Sequence, residues 1–261
     1  MKIATWNVNS VKARLAHLLA WLQQARPDVV LLQETKVIDD GFPALEIGDL
    51  GYTVETVGQK TYNGVAVLSR WPIRVLSRSL PGLDGLPPDG DGQARYLEAF
   101  TQGLRAITVY VPNGNPVDSE KFAYKLAFLD RLYAHTRRLL ASGDAFVLGG
   151  DFNVAPDDAD VYDPVGWRND ALCRPESRSA LRRLMHLGLT DGLKAVQPHP
   201  GYTWWDYRAG AYAADHGLRI DHLLLSPQAT DRLLDAGVDR LPRGWERPSD
   251  HAPVWCDLAP A

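Results

Sequence analysis

Cysteine is scarce in this chain, with only Cys173 and Cys256 present. They form no CxxC or zinc-ligand spacing, which excludes a disulfide framework and a structural zinc cluster and makes a reducing cytoplasm the expected compartment. Long apolar runs are also missing. No stretch is long enough to span a bilayer, and the opening residues Lys2 to Trp6 carry no signal-peptide hydrophobic region, so neither membrane insertion nor secretion is expected. Positive charge is not in excess. Lys plus Arg number 28 against 32 Asp plus Glu, a net charge of −4, so any phosphate-binding surface must be local rather than global. Repeats, low-complexity tracts and linker-like segments are absent too, and residues 1–261 are expected to form one domain.

What is present is an ordinary globular composition, 45% hydrophobic and 23% charged, enough for a sizeable α/β core. The stretch Ala145 to Pro156, AFVLGGDFNVAP, organises the rest. Phe146, Val147 and Leu148 form a continuous apolar run, the pattern of a strand buried on both faces. Gly149 and Gly150 allow tight packing where it is expected to stop, so that Asp151 would sit where a buried strand surfaces. If extended geometry persists, Asp151 and Asn153 project to the same side. A carboxylate usable as base or metal ligand would then stand beside an amide that can hold an oxyanion. The plainer reading is turn chemistry, for which Asp, Asn and Pro after a strand are ordinary residues.

In chain order, Met1 to Trp6 reads as a strand, followed by a helix to Ala25 carrying Val11, Leu15, Leu18 and Leu22, with Ser10 as candidate cap. Val29 to Leu32 is a second buried strand, and Tyr52 to Val57 and Val65 to Ser69 a strand pair. Pro81 to Gly92 is rich in breakers and reads as a loop. Arg95 to Phe100 and Ala106 to Val111 suit a hairpin around Gly103. Phe122, Leu126, Leu129 and Tyr133 mark the expected core face of a long helix. A long loop to Arg174, a helix from Pro175 to Leu187 and strands at Arg219 to Leu225 and Ala252 to Leu258 complete the chain.

Polar groups gather at these strand ends, where α/β proteins build sites on loops held by a rigid scaffold. Asn7 and Asn9 end the first strand, Glu34 the second and Tyr110 a middle one, and Asp250 and His251 precede the last. Taken singly, each has a structural explanation: Asn7 or Asn9 as a cap, Glu34 paired with Lys36, Tyr110 as an edge aromatic. Asp221 does not fit so easily. Between Ile220 and Leu223 it would be a buried charge needing a partner, and His251 is the natural one, its imidazole then oriented and its charged form favoured. Hard oxygen ligands without cysteine clusters point to Mg²⁺ or Mn²⁺, held by Glu34 with Asp250 or Asp151. The chemistry suggested is metal-assisted hydrolysis of a phosphodiester or phosphomonoester.

The chain resembles the exonuclease III and apurinic/apyrimidinic endonuclease family of the exonuclease-endonuclease-phosphatase superfamily. The resemblance rests on TWNVNSVKAR at Thr5 to Arg14, LLQETKV at Leu31 to Val37, NGVAVLS from Asn63, YVPNG from Tyr110, GGDFNVAP from Gly149, YTWWDYR from Tyr202, GLRIDHLL from Gly217 and PSDHAPVW from Pro248. It implies a four-layer α/β sandwich, two mixed β-sheets packed face to face with helices outside. It also implies Glu34 as principal metal ligand with Asn7 and Asp250 nearby, and Asp151, Asn153 and His251 close to the same Mg²⁺ or Mn²⁺. Asp151 would move a proton, Asn153 stabilise the transition state, and His251, supported by Asp221, contact the phosphate, with Tyr110 completing the ring. Trp204, Leu218 and Ile220 match an apolar pocket for an extrahelical abasic sugar, and Asn9 a substrate contact.

The implied partner is duplex DNA with abasic sites or blocked 3′ ends. The protein would act as a cytoplasmic, nucleoid-associated monomer that cleaves 5′ to the abasic site and trims or dephosphorylates 3′ ends. Two departures stand out: Asn9 occupies a position where some members carry an acid, and Asn113 to Asp118 lacks an arginine that some members insert at DNA. The rival readings are a non-specific deoxyribonuclease, a phosphatase of the same superfamily, and a catalytically silent DNA-binding module.

Overall fold

The computed structural model describes residues 1–82, 92–199 and 201–260. The first half contains β1 (Lys2–Asn7), α1 (Leu15–Ala25), β2 (Val29–Gln33), α2 (Ala44–Gly48), β3 (Thr53–Val57), β4 (Val65–Ser69), β5 (Arg74–Ser77), β6 (Tyr96–Thr101), β7 (Leu104–Tyr110) and α3 (Glu120–Ser142). The second contains β8 (Phe146–Asp151), α4 (Pro164–Trp167), α5 (Pro175–Met185), β9 (Thr190–Asp191), α6 (Gly192–Val196), β10 (Trp204–Trp205), β11 (Gly217–Leu218), β12 (Asp221–Leu225), α7 (Pro227–Thr230), β13 (Leu233–Val238) and β14 (Val254–Leu258). The loop expected over Pro81 to Gly92 falls mostly outside the described residues.

The strands form two six-stranded mixed sheets, in the orders β13-β14-β1-β2-β4-β3 and β5-β6-β7-β8-β12-β9. Each has one parallel pair at its centre, β1 with β2 and β7 with β8. Between the sheets lies a shared core in which Ile3, Val29, Leu31 and Val67 face Ala99, Val147, Leu223 and Leu225. Outside the first sheet, Leu18, Trp21 and Leu22 of α1 cover Ala4, Val30 and Leu32. Outside the second, Phe128 and Leu132 of α3 and Leu181 of α5 cover Ile107, Leu148 and Leu224. Each fully buried Val, Leu, Ile or Phe side chain among these contributes about 1.5–3 kcal/mol on leaving water. The fold is therefore the expected four-layer α/β sandwich.

Local departures from the expected elements have identifiable causes. Helix α1 starts at Leu15, and Ser10 is not its cap but adopts a left-handed φ of 87°. The backbone before it is already committed, since Val8, Ser10 and Val11 donate to the carbonyls of Gln33, Glu34 and Thr35. This prolongs the β1–β2 pairing and brings Asn7 and Asn9 beside Glu34. Strand β8 does not stop at its glycines but runs through them to Asp151, which is buried rather than surfacing. A Cβ at Gly149 would lie 2.7 Å from Leu31 Cδ1 of the opposite sheet, and one at Gly150 only 1.9 Å from the Val109 carbonyl oxygen. Gly149 thus lets the two sheets close together, and Gly150 lets β8 lie tightly against β7. On α3 the buried face comprises Lys125, Phe128, Leu129, Leu132, Thr136 and Leu139, while Phe122, Leu126 and Tyr133 are only partly buried. Apolar spacing could not reveal a lysine inside that stripe.

Candidate active site

The fold delivers the polar strand ends to one edge of both sheets. In the parallel pairs, Asn7 sits opposite Gln33 and Tyr110 opposite Asp151, so these strands end together. Strand β12 runs antiparallel to β8 and starts at that edge, with Asp221 opposite Asp151. His251 enters just before β14, pinned by a bridge to Trp204.

Their side chains converge. Asn7 Nδ2 donates to Glu34 Oε1 and to Asp151 Oδ2, each at 2.9 Å, and so links the two sheets. The Tyr110 hydroxyl donates to Glu34 Oε1 at 2.9 Å, and Lys36 Nζ lies 2.7 Å from Glu34 Oε2, so the salt bridge of the plainer reading coexists with the site. Glu34 itself holds a left-handed φ of 50°, backbone strain of the kind that concentrates at functional sites. His251 presents Nδ1 to Asp221 Oδ2 at 2.9 Å and Nε2 toward Asp151 Oδ2 at 3.7 Å. Thr203 donates to Asp221 Oδ2 at 2.7 Å, which helps satisfy the buried carboxylate.

Asn153 reaches the site by a different route from the one its spacing suggested. Its φ of 49° turns the chain after Asp151, so extended alternation does not persist. Its backbone N–H donates to Asp151 Oδ1 at 2.9 Å, its Nδ2 to the Val111 carbonyl at 2.9 Å, and its Oδ1 accepts from Asn113 at 3.1 Å.

Burial and neighbouring charge set the protonation states. Burial alone would raise the pKa of Glu34, but Lys36 and the Asn7 amide outweigh it and hold the carboxyl below the usual range. For Asp151 burial wins, reinforced by Asp221 and Glu34 against His251, and the pKa rises to about 7. His251 goes the other way from its burial, because Asp221 and Asp151 raise it to about 10. Tyr110 is pushed well above its ordinary value by burial and the two acids, so its hydroxyl stays protonated.

Glu34, Asp151 and His251 each offer a ligand atom within 4.8 Å of the others. With carboxylate oxygens supplying most of the set, this cluster fits a hard divalent cation. Asp250 belongs to the same cavity but not to that cluster. Its two oxygens accept from Asn9 Nδ2 and from Trp204 Nε1, both at 3.0 Å. Asn9 Oδ1 in turn accepts from Lys36 at 2.5 Å.

A cavity of about 270 Å³ opens over these groups. Trp204, Ile220 and Leu172 give it an apolar side, and Asn113, Asp170 and Arg208 extend its polar rim. Leu218 does not line it: fully buried, it pairs with Trp204 across β10 and β11 and backs the wall from behind. Trp167 was not foreseen. Its ring meets that of Trp204 edge-on, centroids 5.8 Å apart, and it packs on the cluster containing Leu218 and Ile220. A lone tryptophan in a polar, Pro- and Gly-containing loop was the available signal. Lys125 was also missed. It is fully buried, and burial, against the attraction of Asp151 and Asp170, brings its pKa down to about 7. Its spacing from Phe128 and Leu129 was readable, but the apolar pattern gave no sign that a lysine would be buried there.

Comparison with known proteins agrees with this geometry. Residues 4–251 match the Endonuclease/Exonuclease/phosphatase family. The chain is 34% identical to exodeoxyribonuclease III of Haemophilus influenzae, covering 99% of this chain and 100% of that protein. Among solved structures, the 3′ phosphatase NExo from Neisseria, bound to a product DNA hairpin, superposes with a TM-score of 0.94 at 43% identity, covering 99% of each chain. An AP endonuclease from Archaeoglobus fulgidus gives 0.93 at 36%, again over 99% of each chain. The chain therefore belongs to the Endonuclease/Exonuclease/phosphatase family, in its exodeoxyribonuclease III and AP endonuclease group of hydrolytic nucleases.

Proposed function

We propose that this protein is a Mg²⁺-dependent DNA repair nuclease that hydrolyses phosphate esters at abasic sites and at blocked 3′ ends of duplex DNA. The observation that carries the reading is the meeting of Glu34, Asp151 and His251 at one point, with Asp221 behind the imidazole. Glu34 would hold the ion as its principal ligand, with Asn7 orienting the Glu34 and Asp151 carboxylates and Asp250 at the cavity rim. When bound, it supplies Lewis-acid charge opposite the phosphate oxygens.

The protein groups divide the remaining work. Asp151, with a pKa of about 7, is suited to take a proton from the attacking water. His251, charged and oriented by Asp221, donates from Nε2 to a non-bridging oxygen rather than acting as a ligand. One N–H of Asn153 is bonded to Val111, and the other is assigned to the developing oxyanion. Affinity for DNA should fall with salt, because a protein of net charge −4 must bind phosphates through a local basic track.

A second reading concerns the balance of activities. Trp167 lies against Trp204 on the apolar side of the cavity, so the space expected to receive a baseless sugar is shared with an indole. This favours 3′-phosphate removal over abasic incision, in keeping with the relative whose name is 3′ phosphatase. The test compares labelled duplexes carrying one abasic site, one 3′ phosphate or no lesion, each with Mg²⁺ and with chelator. Absence of metal-dependent hydrolysis on all three would reject the proposal.

A further inference from the structure

Lys125 is a buried charge that the mechanism above does not use. It lies on α3 outside the second sheet, fully buried, in a position otherwise suited to an apolar side chain. Its ammonium donates to the Asn153 carbonyl at 2.5 Å and to the Asn113 carbonyl at 2.9 Å. Those oxygens belong to the two loops that leave the parallel strands β7 and β8, directly after Tyr110 and Asp151. Gly114, with a φ of 90°, leaves room for the lysine stem: a Cβ there would lie 2.7 Å from Lys125 Cδ.

We infer that Lys125 is a positioning residue that ties the two loops together and thereby holds the Asn153 amide in register with Asp151. The inference rests on the proposed reading of Asn153 and Asp151 as groups acting on the phosphate. Asn153 is otherwise held through Val111, Asn113 and Asp151, and two of those three belong to the loop that Lys125 also grips. A left-handed asparagine without its carbonyl anchor can relax toward ordinary backbone geometry and carry the amide away from the phosphate. An unpaired buried ammonium is costly, so two main-chain acceptors at one point give the charge a specific place to sit. Lys125 touches no reacting atom, and its effect is transmitted through the backbone.

The experiment measures kcat, KM and melting temperature of Lys125→Met and Lys125→Arg in the full-length protein with Mg²⁺, on a duplex with a 3′ phosphate. An ångström-scale misplacement of a catalytic group costs up to about 10²-fold, so Lys125→Met is expected to lower kcat per folded molecule by about 10–100-fold. KM should change by no more than about threefold, since phosphate binding elsewhere is untouched. Lys125→Arg, which restores charge and donors to the same oxygens, should recover most of the loss. A kcat for Lys125→Met within about twofold of the parent, or no recovery with Arg, would overturn the inference. If Lys125→Met does not fold, Lys125→Gln, which keeps one amide donor, is measured instead. Failure of all three to fold would assign Lys125 to folding alone and likewise overturn it. An inactive parent enzyme would instead count against the proposed function itself.

Discussion

Asp221 and His251 form a buried pair, Oδ2 to Nδ1 at 2.9 Å, that aims the other ring nitrogen at Asp151. The attraction of Asp221 and Asp151 outweighs burial and raises the histidine to about 10. Asp221→Asn should therefore lower the pKa of His251. If the imidazolium is the active form, activity is lost as pH rises through that pKa, and the alkaline limb of the kcat profile moves to lower pH in the variant. The sign for stability is the same: a raised histidine pKa stabilises fully below its ordinary value of 6.5, and that contribution fades as pH rises toward about 10. The deficit in melting temperature of the variant should be largest on the acid side. Coincident alkaline limbs would remove Asp221 from this role.

Glu34→Gln should raise the Mg²⁺ concentration for half-maximal activity by at least about tenfold, since even residues that only support a ligand cost 10–100-fold in metal affinity. The fold should survive, because the glutamine oxygen can still accept from Asn7 and Tyr110. Mg²⁺ titrations of activity beside circular dichroism check this. An unshifted titration would show that Glu34 does not hold the ion.

Asp151→Asn should separate stability from turnover. A carboxyl raised from 3.8 to about 7 costs stability as pH climbs through that window, the reverse of a salt-bridged acid. Its neutral replacement should melt at an equal or higher temperature at pH 8, while kcat falls by about 10²-fold or more. DNA binding measured by anisotropy should be nearly unchanged. Activity within a few-fold of the parent would return Asp151 to a turn-forming role.

The two tryptophans at the cavity should act oppositely. Trp204→Ala removes the wall and the donor to Asp250, and should reduce abasic-site incision more than 3′-phosphate removal. Trp167→Ala opens the space beside that wall and should raise incision relative to phosphate removal. Trp204 is only partly buried, so its loss should cost less than the about 3–5 kcal/mol of a core tryptophan. The ratio of the two activities, read beside the melting temperature, decides. An unchanged ratio with lowered stability would make both residues structural.

Much of this site was legible from local pattern. Glu34, Tyr110, Asp151 and Asp221 each terminate or begin an apolar run, so their places at strand ends followed from periodicity, and the need of Asp221 for a partner followed from its apolar flanks. The expected same-side projection of Asp151 and Asn153 did not, because it assumed extended backbone where Asn153 turns left-handed. The burial of Asp151 was hidden too, since it depends on Gly149, which admits Leu31 from the opposite sheet, and on Gly150, which admits the Val109 carbonyl of the neighbouring strand.

The sequence by itself determined the layered α/β class, the strands that end in polar residues, and the hard-ligand chemistry of those residues, because alternation, apolar runs and side-chain type are properties of neighbours along the chain. Only the tertiary structure decided that Leu218 backs the cavity wall while Trp167 enters the cavity, that Asp250 is bonded to Asn9 and Trp204, and that Lys125 lies beneath two loops. Each of these depends on contacts between segments distant in sequence, and no local periodicity encodes them. The pKa values of Asp151 and His251 are of the same kind, set by how much water the packed sheets exclude and by which charges they bring within a few ångströms.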